Sequence, residues 1–480
     1  MSDYEPVIGL EVHAELLTHS KMFCACPVVD TTTAEPNSAV CAVCTAQPGV
    51  LPVTNRRAVE YGIMVGLALN CTINEFSLFA RKSYFYPDLP KGYQISQYEY
   101  PLASNGWLDI EVGGETRRIG VTRAHLEEDT GKSFHRGSYS LVDLNRAGVP
   151  LLEIVSEPDF RSVEEVEAYA RKLRAILVYL GVNHGDMSKG VLRFEANVSV
   201  RPAGSADLWT RTEIKNLNSI RSLVRACRYE IGRQIAIWEA GGEVRQQTMG
   251  FDEDTGQTYT QRLKEYADDY RYFPEPDIPP LQVSPGWMAE IAKRLPELPD
   301  ARCDRFVQRF GLSRQDAEIL VSDRAVSDYF EAALAAGGDP RQTANWITGE
   351  LFRYMNEYGV EMEAVRLLPG DLVALIGLVE SGAINFNTAK DVLAEMLETG
   401  QPAQPIVERK GLAQISDAAA LGALADRVLD ANPDEVTAYL GGKEGLLSFF
   451  VGQVMRETRG RANAKLAGQI LREKLDSRRP

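Results

Sequence analysis

Residues 8–16 alternate strictly: Ile8, Leu10, Val12, Ala14 and Leu16 are apolar, with Glu11, His13 and Glu15 between them. A period of two predicts a half-buried strand whose open face carries two carboxylates and an imidazole in a row, about 7 Å apart. The construction recurs twice. In residues 191–201, Leu192, Phe194, Ala196, Val198 and Val200 turn inward, while Arg193, Glu195, Asn197, Ser199 and Arg201 turn outward. Residues 209–215 present Arg211, Glu213 and Lys215 on one side. A solvated sheet would tolerate any polar residue there, whereas these faces set acids beside cations.

Helical spacing accounts for much of the remainder. Residues 56–69 read as a helix. Ser162-Val-Glu-Glu165 is a capping box, followed by Val166, Tyr169, Leu173, Ile176, Leu177 and Leu180 until Gly181 ends the run. Residues 219–239 form a long amphipathic helix with Leu223, Cys227 and Trp238 inward. The segment Arg81-Lys-Ser-Tyr-Phe-Tyr-Pro-Asp-Leu-Pro-Lys91 reads as a functional loop, with Arg81, Lys82 and Lys91 as candidate phosphate contacts. Five prolines in residues 274–285 mark a boundary, and beyond it the pattern turns helical to about residue 397. A second break falls at residues 399–405. The expected fold class is α+β: a mixed-sheet domain over residues 1–293, an all-helical domain over 294–408 and a small helical tail domain over 409–480.

Composition narrows the partners. A net charge of −15 over 480 residues repels nucleic acid, so an RNA partner must be held by a local basic patch. The last twenty-six residues supply one, with eight Arg/Lys against three acids. Arg456, Arg459, Arg461 and Lys465 are its candidate contacts. The start of the chain lacks the basic and apolar regions of a signal peptide, and no apolar window is long enough to span a bilayer. The expected compartment is the cytoplasm, with no membrane partner.

Two motifs add chemistry. Cys24-Ala-Cys26 and Cys41-Ala-Val-Cys44 place four of the seven cysteines within twenty-one residues, the donor set of a structural Zn²⁺ site closed to catalysis. His125, Glu127, Glu128 and Asp129 form an acidic knot whose oxygen donors suit Mg²⁺. Gly131-Lys132-Ser133 is no phosphate loop, because Leu126 stands where that motif needs glycine. Glu-rich faces with Lys and Arg between them point to a metal-centred nucleotide site. No nucleophile motif of an amidase is present, so ammonia, if used, comes from another chain.

The motifs Val7-Ile-Gly-Leu-Glu-Val-His13, Arg81-Lys-Ser-Tyr-Phe-Tyr-Pro-Asp88, Glu127-Glu-Asp-Thr-Gly-Lys132, Leu141-Val-Asp-Leu-Asn-Arg146, Glu153-Ile-Val-Ser-Glu-Pro158, Lys215-Asn-Leu-Asn-Ser219 and Asp269-Tyr-Arg-Tyr-Phe-Pro-Glu-Pro-Asp277 resemble the B subunit of the aspartyl/glutamyl-tRNA amidotransferases. The resemblance implies a cradle domain with a glutamine-synthetase-like kinase site, then a helical domain and a tail domain that contacts tRNA. It implies a heterotrimer with an amidase A subunit and a small C subunit. The activity implied is that of an ATP-dependent carbon–nitrogen ligase with glutamine as amido donor. It acts on mischarged Glu-tRNA(Gln) or Asp-tRNA(Asn) and forms an acyl phosphate that ammonia displaces. By motif, Glu11, His13 and Glu128 fall at the family's ATP and Mg²⁺ site, with Glu195 and Glu213 as companions and Lys82 near the ammonia path. Where the family often has Asp-Ala-Asn, this chain has Glu195-Ala-Asn197, and the zinc cysteines occur in only some members.

Overall fold

The computed structural model describes residues 3–263, 270–415, 417–458 and 460–479. Nine strands form one sheet. In chain order they are β1 (Tyr4–Glu15), β2 (Thr72–Ile73), β3 (Ala103–Val112), β4 (Glu115–Glu128), β5 (Pro150–Ser156), β6 (Leu192–Pro202), β7 (Thr212–Leu217), β8 (Gln247–Asp252) and β9 (Gln257–Leu263). Their spatial order is β9-β8-β7-β6-β1-β5-β4-β3-β2, so β1 is the central strand. β7 and β8 are parallel and every other pairing is antiparallel.

The alternation of β1 sorts its side chains as the pattern demands. Ile8, Leu10, Val12, Ala14 and Leu16 are at most 1 % exposed and join one apolar core. Helices α1 (Arg56–Ala68), α2 (Val163–Tyr179) and α3 (Ile220–Glu239) supply Ile63, Tyr169, Leu173 and Leu223 to the same core. Ser162 accepts from the Glu165 amide at 3.2 Å, and the Glu165 carboxylate reaches back to the Arg161 amide at 2.6 Å. Small residues set how closely α1 lies on the sheet. A Cβ on Gly62 would come within 2.6 Å of Leu102, and one on Gly66 within 2.6 Å of Ile73.

The proline-rich stretch is a strap on this unit and not a linker. Phe273–Pro274 pairs with Ala80 and Arg81, and Leu281–Gln282 pairs with Phe76 and Ser77. Ile278 and Val283 are buried in the core of the sheet domain. The first compact unit therefore runs to Arg302, past the proline-rich stretch and nine residues beyond the expected domain end at residue 293. Stiff extended chain suits a strap as well as a linker, because proline favours edge pairing either way. Part of the segment expected as a loop is also regular, since Ala80–Ser83 is a strand paired with Tyr93–Ser96.

The second unit, Cys303–Pro480, is helical throughout its regular elements. It holds two apolar clusters. One gathers Phe306, Phe330, Trp346 and Leu393, and the other Leu424, Leu429, Phe450 and Leu471. Among the described residues no helix is long and apolar enough to cross a membrane.

Gly106 on β3 is the tightest point. A Cβ there would sit 2.3 Å from the Cys71 sulfur and 2.5 Å from the Leu69 carbonyl oxygen, which is backbone and cannot rotate away. Gly106→Ala is expected to cost about 1–3 kcal/mol, as overpacking usually does. A lowered urea midpoint checks it.

Candidate functional site

The polar face of the sheet is a continuous band running across five strands. Register decides who meets whom. Glu11 on β1 stands directly opposite Glu195 on β6, and His13 stands opposite Glu153 on β5. Glu153 in turn faces His125 on β4. Two groups with metal-ligand geometry result, each with one donor atom per residue within 4.8 Å of the others: His13, Glu127 and Glu153, and beside it Glu11, Glu195 and Glu213. β1 contributes to both, because Glu11 and His13 are neighbours on one face of a single strand.

In the first group, His13 Nε2 lies 3.3 Å from Glu153 and 3.6 Å from Glu127. His125 Nε2 lies 3.6 Å from Glu153, and the Ser96 hydroxyl donates to Glu127 at 3.2 Å. Burial alone would lower the His13 pKa, but the hydrogen bond and charge of Glu153 raise it to about 9. Burial, with the charge of Glu153, pushes Glu127 up to about 7. Burial takes His125 the other way, to about 4. Lys82 belongs to this group: Tyr272, Glu127 and Glu153 hold its pKa up against burial, and its ammonium sits 5.0 Å from the Tyr270 ring.

In the second group, Asn197 Nδ2 donates to Glu11 at 2.9 Å. Lys215 Nζ donates to Glu195 at 2.5 Å and lies 3.4 Å from Glu213. Burial and the charges of Glu153, Glu195 and Glu213 raise the Glu11 pKa. Beyond His13 the band ends at Glu15 and Asp129. Arg193 bonds Asp129 at 2.9 Å, and Arg146 lies 3.7 Å away.

Glu128, expected beside Glu11 and His13, is elsewhere. Consecutive strand residues point to opposite faces, so Glu127 takes the polar face and Glu128 the other. There Glu128 accepts from the Ile95 amide at 3.0 Å and pairs with Lys91 at 2.5 Å. It lines a hollow with Phe23, Cys24 and Cys44. Glu153 is the residue missed as a site carboxylate. A lone acid inside the apolar run of β5 was the available signal for Glu153. Glu127 lay within the acidic knot.

The four cysteines Cys24, Cys26, Cys41 and Cys44 converge. Cys44 Sγ is 3.9 Å from Cys41 Sγ and 4.0 Å from Cys26 Sγ. A tetrahedron of ~2.3 Å zinc–sulfur bonds has edges of about 3.8 Å, so the set fits a structural Zn²⁺. Lys21, fully buried, places its ammonium 3.7 Å from Cys44 and donates to the Leu144 carbonyl at 3.1 Å. A buried ammonium needs an anion beside it, and a tetrathiolate provides one. The loop is tied to the sheet domain through Asn37, whose amide donates to Asp143 at 2.9 Å, and Asn145, which accepts from the Ala39 amide at 2.8 Å.

The candidate RNA contacts divide. Arg456 and Lys465 are exposed, on helices 447–457 and 464–477. Arg461 instead directs its guanidinium to the Thr458 and Gly411 carbonyls. Arg459 lies outside the described residues.

Comparison with known proteins bears on the whole chain. Residues 6–289 match the family described as the GatB/GatE catalytic domain, and residues 328–475 the GatB domain. The chain is 53 % identical over 469 residues to the B subunit of the aspartyl/glutamyl-tRNA(Asn/Gln) amidotransferase of Thermodesulfovibrio yellowstonii, covering 98 % of each. It is 53 % identical to the same subunit from Moorella thermoacetica, over 98 % of this chain and all of the relative, and 51 % identical to that from Geobacter sulfurreducens, over 98 % and 99 %.

Metal analysis of the purified protein is expected to find about one zinc per chain, and Cys44→Ser to lose it. Unchanged zinc content in that variant would show the metal is held elsewhere.

Proposed function

The chain belongs to the B-subunit family of the aspartyl/glutamyl-tRNA(Asn/Gln) amidotransferases, and we propose that it carries the ATP-dependent half of that reaction. In this reading it is a carbon–nitrogen ligase that converts Glu-tRNA(Gln), Asp-tRNA(Asn) or both to the amidated forms. Glutamine is the amido donor, and an amidase A subunit, strapped on by a small C subunit, releases the ammonia.

The observation that carries the reading is the pair of carboxylate groups sharing β1. Their donor chemistry fits divalent cations. Five carboxylates and one imidazole crowd together, the Nδ1 of His13 is buried without a partner, and Lys82 and Lys215 offset only part of the charge. His13, Glu127 and Glu153 would hold one Mg²⁺, and Glu11, Glu195 and Glu213 a second. Bound there, Mg²⁺ supplies the positive charge that phosphate oxygens need during transfer.

The rest falls to the chain's own residues. The substrate side-chain carboxylate attacks the γ-phosphorus of ATP, forming a C–O–P link as the bond to ADP breaks. Ammonia then forms the C–N bond at the carbonyl carbon. Phosphate departs with the C–O electron pair and takes the proton that ammonia sheds. Phosphorylation is required because a free carboxylate is a poor electrophile. Lys82 sits at the His13 group, where it offsets charge on the departing phosphate, and the tyrosines 84, 270 and 272 around it limit water. Lys215, fixed by Glu195 and Glu213, faces the nucleotide phosphates from the other end. Glu128 holds Lys91 and the Ile95 backbone, a structural duty.

Glu11→Gln and Glu127→Gln are each expected to lower kcat for amidation about 100-fold or more, with tRNA affinity unchanged. Glu128→Gln is expected to keep most of its turnover. Steady-state assays and filter binding decide it. Full activity in Glu127→Gln sinks the assignment. Replacing Arg456 and Lys465 by alanine is expected to raise KM for tRNA several-fold with little change in kcat, whereas an equal fall in kcat would remove the tail from substrate binding.

A further inference from the structure

We infer that Glu15 takes the α-ammonium of the aminoacyl group, so that the cavity at the end of the charged band recognises its amino acid by the free amine. This rests on the reading above that the chain acts on aminoacyl-tRNA.

Five acids of the band fall in the two groups with metal-ligand geometry, and Glu15 falls in neither. It ends β1, where the sheet meets a cavity of about 600 Å³ lined by Glu15, His19, Asp30, Arg146, Asp186 and Lys189. That volume falls in the ordinary range for small-ligand sites.

The other charges on this wall are already engaged. Asp30 pairs with Lys189 at 3.1 Å and accepts from the Thr32 amide at 2.9 Å. Asp186 accepts from the amide and the hydroxyl of Ser188, at 2.9 and 2.6 Å. Arg146 donates to the carbonyls of Thr130 and Gly131, each at 2.9 Å. Glu15 differs. Its nearest cation, Arg193, stands 4.0 Å away and is committed to Asp129 at 2.9 Å. Asp129 itself adds like charge beside it. With 17 % of its side chain exposed, Glu15 is withdrawn from bulk water yet reachable from the cavity.

A partly desolvated carboxylate next to a second acid favours a cation. A divalent metal suits the place poorly, because it wants several oxygen donors and the Arg193 guanidinium already covers Asp129. A primary ammonium carries one charge and three N–H donors, which one carboxylate and nearby carbonyls can satisfy.

Distance identifies which ammonium. Glu15 lies two residues beyond His13 on one face of β1, about 7 Å along the strand. In an extended glutamyl group four bonds of ~1.5 Å separate the α-nitrogen from the side-chain carboxyl carbon, a span of about 5 Å. With its ammonium against Glu15, such a group reaches the His13 group with its side-chain carboxylate, the end that the reading above phosphorylates. An uncharged RNA has no such cation to offer, so the contact separates charged from uncharged substrate.

The test uses the full complex and three acceptor RNAs. One carries glutamate through a stable 3′-amide, one carries 2-hydroxyglutarate through the same link, and one is uncharged. The two acylated RNAs differ only by a hydroxyl in place of the α-ammonium, and affinities are read by fluorescence anisotropy without ATP. The wild-type complex is expected to bind the glutamyl RNA about tenfold more tightly than the hydroxy analogue, the size of one charge-assisted hydrogen bond. Glu15→Gln is expected to bring the two within about twofold, leaving the hydroxy and uncharged RNAs at wild-type affinity. Glu15→Asp keeps the charge and is expected to fall between them. Equal binding of the two acylated RNAs by wild type overturns the inference without any variant having to fold. An intact preference in Glu15→Gln overturns it too, and a Glu15→Asp complex indistinguishable from Glu15→Gln assigns the residue to the fold instead. Acylated RNAs that bind alike, but better than the uncharged one, sink this inference alone. If neither outcompetes the uncharged RNA, the complex holds no aminoacyl group and the reading beneath it falls as well.

Discussion

Like charges set directly opposite one another across an antiparallel pair repel, and this chain does so at the centre of its largest sheet. Glu11 faces Glu195, and Glu213 stands within ligand distance of both. The next pair along β1 joins His13 to Glu153, with Glu127 beside them. Cations or protons must offset such an arrangement, and two lysines are already there. What remains uncompensated explains why burial raises Glu11 and Glu127 while the protonated imidazole of His13 is favoured. The fold holds these groups together because the apolar faces of the same strands are locked against α2 and α3. Stability on one side of the sheet permits electrostatic strain on the other.

The cysteine loop extends this logic to the rim of the site. Asn37 and Ala39, inside the cysteine loop, meet the segment Asp143–Asn145, and one residue later Arg146 reaches toward Asp129 beside Arg193. Lys21 ties the thiolates to the Leu144 carbonyl of that segment. A cysteine set that fits a metal with no open coordination position thereby braces the segment next to Asp129 and Arg193.

The alternation of β1 and β6 was legible at once, and with it Glu11, His13 and Glu195, because a period of two leaves no freedom in which side chain faces which way. Register was not legible. Which strands flank β1 depends on contacts more than 130 residues apart, so Glu153 on β5 stayed a motif residue without a role. The choice between Glu127 and Glu128 turned on where β4 sits relative to its neighbours, and a one-residue difference moves a carboxylate through the sheet. The prolines at residues 274–285 misled for a related reason: composition shows that chain is stiff, not what it lies against.

The central position of β1 also governs how the molecule comes into being. Its partners are β5 and β6, and the last residues of β6 are made nearly 190 positions after β1 ends. At ~5–20 residues per second a ribosome needs roughly 10–40 s to cover that interval. For most of it, until β5 has been made, a strand with one wholly apolar face has nothing to pair with. The acids of its other face act in this waiting period, since Glu11 and Glu15 make two nascent copies repel when aligned side by side. The charged band of the folded sheet and the protection of its nascent strand draw on the same carboxylates.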